Sequence, residues 1–227
     1  MLEVQEKHNM AIFQKGTSLM YSQNDEELTI LQHLGDSNGF FLDIGAYDGV
    51  TMSNTRALAE AGWSGALVEG SSFPFTKLFS VYGGNQRMTL INAMVARGEA
   101  GNNRIVKMWE SPNSALSTIE QENFDKWNLE VARYSEGGVG FSEIYVPTVS
   151  IREILDVCES RSKTIDFVSI DIEGGSSDVA MQIDPDRFSV KMLCVEHDGR
   201  HVDLINHFSK YRFLPILLNA ENLILFR

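Results

Sequence analysis

The chain has 227 residues, 43% of them hydrophobic and 22% charged, enough for one globular domain with a full core. Its net charge of −12, with no dense Lys/Arg stripe, argues against a nucleic-acid partner, because phosphate recognition needs a basic face. No run is long and apolar enough to cross a bilayer, and Glu3, Glu6 and Lys7 do not fit a signal peptide, so a cytoplasmic protein with no membrane partner is expected.

Residues 1–39 read as a polar, helical preface to a single domain spanning 1–227. Within it, Ser22 to Glu27 opens a helix with an apolar stripe of Leu28, Ile30, Leu31 and Leu34, early acids that suit the helix dipole, and Gly35 as a stop. Gly39-Phe40-Phe41-Leu42 is the short apolar run of a buried parallel strand. It ends in Asp43 and breaks into a loop with Gly45 and Gly49, followed by helix-compatible residues from Ser53. A second strand, Ala66 to Glu69, precedes a helix over 73–82 and a third strand, Thr89 to Ala93.

From Gly98 to Tyr145 the pattern loosens, and strand-like pieces such as Arg104 to Trp109 stand isolated. The segment 98–145 reads as an elaborated crossover, since it has too little apolar mass to fold alone. Ser150 and Glu153 then form a capping box for a helix through Ile151, Ile154, Leu155 and Val157. Strands at 166–171 and 191–196 flank a Gly/Ser-rich turn and a short helix. A helix near 200–210 leads to two strands, Phe213 to Leu218 and Leu223 to Phe226, close enough to form a hairpin. Alternating βα units with a terminal hairpin predict an α/β protein with a mostly parallel sheet and one antiparallel strand. Cys158 and Cys194 have no metal-ligand spacing and read as reduced, buried thiols.

The loop after the first strand carries the chemistry. Its order, Asp43-x-Gly45-x-x-x-Gly49, is not the G-x-G-x-x-G of a dinucleotide site. Asp43 and Asp48 would repel a pyrophosphate but suit a ligand with a cationic amino or sulfonium group. Glu69, 20 residues beyond Gly49, ends the second strand where a carboxylate can accept hydrogen bonds from two ribose hydroxyls. Together they point to S-adenosylmethionine, against the alternative that Asp43 and Asp48 only form the turn. A nicotinamide-dependent oxidoreductase on a related sheet and a non-catalytic cofactor-binding module are the competing readings.

Ligands of open α/β sheets sit beyond the carboxyl ends of the strands. Two more strands end there in polar clusters, Asp171-Ile172-Glu173-Gly174-Gly175 and Glu196-His197-Asp198. The chain resembles the FkbM family of S-adenosylmethionine-dependent methyltransferases in Ser22-Gln23, FLDIGAYDGVTMSNT at 41–55, LVEGS at 67–71 and Asn92-Ala93. The likeness continues with VSIDIEG at 168–174, CVEHD at 194–198 and ENLILFR at 221–227. It departs at Gly70, where the family usually has proline, and at Gly175-Ser176-Ser177, a change that would delay or loosen the next helix.

The resemblance implies a Rossmann-like seven-stranded methyltransferase sheet with a C-terminal antiparallel hairpin and helices on both faces. It implies that Asp43, Gly45, Ala46, Tyr47, Asp48 and Gly49 meet the methionine part of the cofactor. Ser53 and Asn54 either complete that contact or cap the helix. Glu69 would hold the ribose, and Asn92 and Ala93 would lie near the adenine, unless Asn92 is simply a turn residue. A hydroxyl acceptor, on a sugar or other small metabolite, needs its proton removed. His197 is the first candidate base, unless it ties two strands together. Asp171 is the second, with Glu173 beside it. A divalent ion on Asp171 and Glu196 is possible but not favoured, since such groups are also ordinary in a metal-free cleft. Acceptor selection is expected in 98–145, and Trp63, Trp109 and Trp127 are either a stacking wall or core.

Overall fold

The computed structural model describes residues 21–24, 26–35, 37–96, 105–111, 117, 121–134, 140–172 and 174–227. Most of the N-terminal preface, much of the crossover and Glu173 therefore lie outside the described residues. The preface's described helix is α1 (Glu26–Leu34), followed by β1 (Phe40–Ile44), α2 (Arg56–Glu60), β2 (Ser64–Glu69), α3 (Ser72–Tyr82), β3 (Met88–Asn92) and β4 (Met94–Ala96). The chain continues through β5 (Ile105–Glu110), α4 (Gln121–Tyr134), β6 (Ser142–Ser150), α5 (Ile151–Arg161), β7 (Phe167–Ile170) and α6 (Ser176–Ala180). It closes with β8 (Met192–Glu196), α7 (His201–Ser209), β9 (Leu214–Leu218) and β10 (Asn222–Phe226).

The main sheet has seven strands in the order β3-β2-β1-β7-β8-β10-β9. Pairing is parallel from β3 to β8, and β10 runs antiparallel to both β8 and β9. The order reverses between β1 and β7, which opens a crevice at their carboxyl ends. Side chains alternate along each strand, so one sheet builds two cores. Phe40, Leu42 and Ile44 of β1 join Ile154 and Cys158 of α5 and Leu204 and Phe208 of α7 on one face. Phe41 joins Ile30 of α1, Leu58 of α2 and Leu78 of α3 on the other. Fully buried Trp63, Phe41 and Phe167 each contribute roughly 1.5–3 kcal/mol of burial energy.

Several local expectations meet the structure directly. The capping box is formed: Ser150 Oγ accepts from Glu153 N, and Glu153 Oε2 accepts from Ser150 N at 2.8 Å. Of the α1 stripe, Ile30 and Leu34 are buried but Leu28 is 50% exposed. The helix after Gly175 is not delayed. It starts at Ser176, whose hydroxyl accepts from Ile172 N and donates to Glu196, while Ser177 Oγ donates to the His197 carbonyl. The two serines thus tie the end of β7 to the end of β8.

The piece at Ile105–Glu110 is not isolated. It pairs antiparallel with β6 from Ile105↔Pro147 to Glu110↔Ser142, and β6 pairs in parallel with β4. This three-stranded sheet leaves the main sheet at β3 and returns to it through α5. Cys158 and Cys194 are free and buried, which pushes the Cys158 thiol up to about 12 and the Cys194 thiol well above its ordinary value. No helix among the described residues is long and apolar enough to cross a membrane.

Candidate active site

The loop after β1 is held against the ends of both neighbouring strands. Gly45 N and Ala46 N donate to Val68 O of β2 at 2.9 and 3.0 Å, and Asp171 N, following β7, donates to Ile44 O at 2.9 Å. Gly45 has φ +87, and a Cβ there would stand 1.7 Å from the Asp171 carbonyl oxygen. Glycine is required because another backbone passes so close. Tyr47, also left-handed at φ 49, donates its N–H to Glu69 Oε2 at 3.0 Å, and Ser71 N donates to Glu69 Oε1 at 2.6 Å. The Glu69 carboxylate is thereby fixed beside the loop.

A cavity of about 780 Å³ opens at these strand ends. From the expected cofactor set, Asp43, Gly45, Ala46 and Tyr47 line it, as do Ser53, Asn54, Glu69 and Ala93. Asp48, Gly49 and Asn92 do not line it. Asp48 caps the turn by accepting from Val50 N, Thr51 N and Thr51 Oγ1 at 2.7–2.9 Å. Gly49, at φ +74, lets the loop pack on α3, where a Cβ would meet Leu78 at 2.5 Å and Tyr82 at 2.7 Å. Asn92 turns its amide back to donate to Glu69 O at 2.8 Å. Ser53 lines the cavity and also caps, its Oγ accepting from Arg56 N at 3.1 Å.

Of the expected catalytic residues, Asp171 lines the cavity and Glu173 lies outside the described residues. His197 is placed differently. It is 6% exposed and absent from the lining; its Nδ1 accepts from Gly199 N at 2.9 Å, and its Nε2 lies 3.2 Å from Asn219 O. One tautomer satisfies both contacts, a neutral ring with the proton on Nε2. That ring ties the end of β8 to the β9–β10 turn, as the strand-tying reading anticipates. Trp63 is core, with Nε1 donating to Ser37 O at 2.6 Å, and Trp109 stacks on Phe124 at 4.7 Å. Trp127 alone of the three tryptophans lines the cavity.

The cavity also takes in residues that were assigned no role from sequence. Met108 of β5, Ser117 and Lys126 of α4 come from the crossover, and Gln23, Asp198 and Glu221 from segments distant in sequence. Gln23 and Glu221 stand in the motif pieces Ser22-Gln23 and ENLILFR, which was the available signal.

The electrostatics follow from enclosure. Burial pushes the Asp43 carboxyl up to about 7, against the bond that Thr55 Oγ1 donates at 2.5 Å, with Asp171 adding repulsion. Burial likewise pushes Glu69 up to about 7, opposed by the N–H groups of Ser71 and Tyr47. Asp171 is open to the cavity yet surrounded by protein, which raises its carboxyl. A hydrogen bond with Glu196 opposes the shift, and the charges of Asp198, Glu221 and Glu26 add to it. Among the described residues no cluster of His, Cys, Asp and Glu has the geometry to hold a metal ion.

A mostly parallel sheet with a polar cleft at its strand ends, edged by a glycine turn and an acid on the adjacent strand, defines an α/β protein consistent with a methyltransferase fold. The family model described as the methyltransferase FkbM domain matches residues 43–219, and the chain belongs to that family. No curated protein matches the chain. As an FkbM methyltransferase-domain protein, it is an enzyme of the methyltransferase class.

Proposed function

We propose that the protein transfers a methyl group from S-adenosylmethionine to a hydroxyl of a sugar or other small metabolite. The observation that carries this reading is the placement of Glu69, Asp43 and Asp171 on one cavity beside the Gly45 turn. The strand order, with its antiparallel β10, agrees with a Rossmann-like methyltransferase sheet.

The residues present fit the cofactor chemically. Glu69, steadied by two N–H groups, keeps lone pairs for two ribose hydroxyls. Asp43 and the loop from Gly45 to Tyr47 suit a zwitterion with a sulfonium centre. Ala93, Met94 and Val95 supply an apolar wall for the adenine. When bound, the cofactor supplies an electrophilic methyl group. This chain orients the acceptor and takes its proton. Asp171 is the proposed base, because enclosure makes it more basic than a free carboxylate and it faces the cavity. His197 is a poorer candidate, since both ring nitrogens are already engaged. Much of the rate enhancement then rests on positioning.

Calorimetry with S-adenosylmethionine, S-adenosylhomocysteine and NAD tests the proposal. The two sulfur nucleosides are expected to bind and NAD is not; binding of NAD alone overturns the reading. Cofactor binding without methylation across a broad hydroxyl panel would identify a non-catalytic module instead.

A further inference from the structure

One polar assembly reaches the cavity through Gln23 and Glu221, and beyond the charge that it sets near Asp171 it has no part in the cofactor loop. Glu26, at the start of α1, is fully buried. Its Oε1 accepts from Asn219 Nδ2 at 2.7 Å, Asn222 Nδ2 at 2.9 Å and Asn24 Nδ2 at 3.3 Å, and its Oε2 accepts from Asn24 N at 2.9 Å. Burial pushes its carboxyl up, but the bonds from Asn219, Asn222 and the backbone outweigh that and hold it below its usual value. A buried carboxylate is tolerated only when hydrogen-bonded in this way.

These bonds clasp the start of α1 onto the turn between β9 and β10, across more than 190 residues of chain. The turn is fixed from its other side as well. Asn219 Oδ1 accepts from Glu221 N and Asn222 N, His197 N donates to Glu221 O at 2.8 Å, and the His197 ring meets Asn219 O. What the clasp presents to the cavity is Glu221, whose carboxylate accepts from Gln23 Nε2 at 3.1 Å and Asn24 Nδ2 at 3.4 Å. Those two bonds leave lone pairs for a ligand.

We propose that Glu221 is a specificity-determining residue of the acceptor site and that Glu26 is its positioning residue, selecting a hydroxyl acceptor that carries an ammonium group and rejecting one that carries phosphate or carboxylate. This rests on the methyltransferase reading above. The cavity supports the charge preference, because Asp171, Glu196 and Asp198 line it with Glu221, and Lys126 is the only cation among its described lining residues. An anionic acceptor meets like charge there, and an ammonium meets opposite charge in a partly enclosed site.

The test uses the full chain saturated with S-adenosylhomocysteine at mildly acidic pH, titrated with glucosamine, methyl glucoside and glucose 6-phosphate. Glucosamine is expected to bind about tenfold more tightly than methyl glucoside, with glucose 6-phosphate weakest. Glu221→Gln should bring glucosamine within about twofold of methyl glucoside while leaving S-adenosylhomocysteine affinity nearly unchanged. Glu26→Gln should lose the same preference although Glu221 is intact, an effect that a loss of stability alone would not produce. Should that variant not fold, Glu221→Gln still decides the matter. A preference that survives Glu221→Gln overturns the proposal, as does equal binding of glucose 6-phosphate and methyl glucoside. So does absence of binding by all three sugars to a chain that binds S-adenosylhomocysteine. Failure to bind S-adenosylhomocysteine is a separate result and removes the methyltransferase reading itself.

Discussion

Asp43 and Glu69 are carboxyls whose burial favours the proton. Both are pushed up to about 7, from ordinary values of 3.8 and 4.5. Between those limits the unfolded chain releases protons that the folded chain keeps, so stability falls as pH rises from about 4 to about 7. Asp43 is 5% exposed, and its rise from 3.8 to about 7 corresponds to at most roughly 4 kcal/mol. Asp43→Asn is therefore expected to flatten the pH dependence, gaining stability relative to the wild type as pH rises through that range. Urea denaturation at a series of pH values measures the difference, and parallel curves for the two proteins would show that Asp43 is ionised throughout. A cationic ligand reverses the preference and favours the carboxylates, so cofactor uptake should release protons, which calorimetry in buffers of different ionisation enthalpy detects.

At the scale of elements, the site depends on how closely the loop after β1 approaches the end of β7. Gly45→Ala combines a left-handed backbone with a Cβ that collides with the Asp171 carbonyl oxygen. The conformational strain alone costs about 1–3 kcal/mol. Relief of the collision moves Asp171 away from the cofactor loop. We expect a lower denaturation midpoint together with weakened S-adenosylhomocysteine binding; unchanged affinity in the folded variant would show that the loop tolerates the shift. This loop was readable because its glycines and acids follow an apolar strand at fixed spacing, and the same local rules placed the Ser150–Glu153 cap. What spacing left ambiguous was which glycine serves which purpose. Gly49 packs against α3 and Asp48 closes its own turn. The pairing of β5 with β6 was not legible, because it joins segments more than 30 residues apart with weak alternation between buried and exposed positions. Glu26 and Glu27 fit the helix dipole by type, yet Glu26 is held by asparagines at the far end of the chain, which no local pattern encodes.

The whole molecule divides its cleft between two sheets. The seven-stranded sheet supplies Asp43, Glu69 and Asp171 from the ends of parallel strands, while the crossover through β5 and α4 supplies Met108, Lys126 and Trp127. Lys126 Nζ lies 4.5 Å from the centre of the Trp127 ring, so this wall carries both an aromatic face and a cation. If the crossover meets the acceptor and not the cofactor, adding to what Glu221 and Asp171 of the main sheet contribute, the two affinities are separable by mutation on α4. Trp127→Ala removes the aromatic face without touching the Gly45 loop or Glu69. Once a hydroxyl acceptor has been found by release of S-adenosylhomocysteine, kcat/KM for that acceptor should fall by about tenfold or more in this variant. The dissociation constant for S-adenosylhomocysteine should stay within about threefold, since the hydrogen bonds described for Glu69 and the loop come from Tyr47, Ser71 and the strand ends. The opposite pattern, a large loss of S-adenosylhomocysteine affinity with acceptor KM preserved, would place α4 over the cofactor and leave acceptor selection to the β9–β10 turn and the strand ends of the main sheet alone.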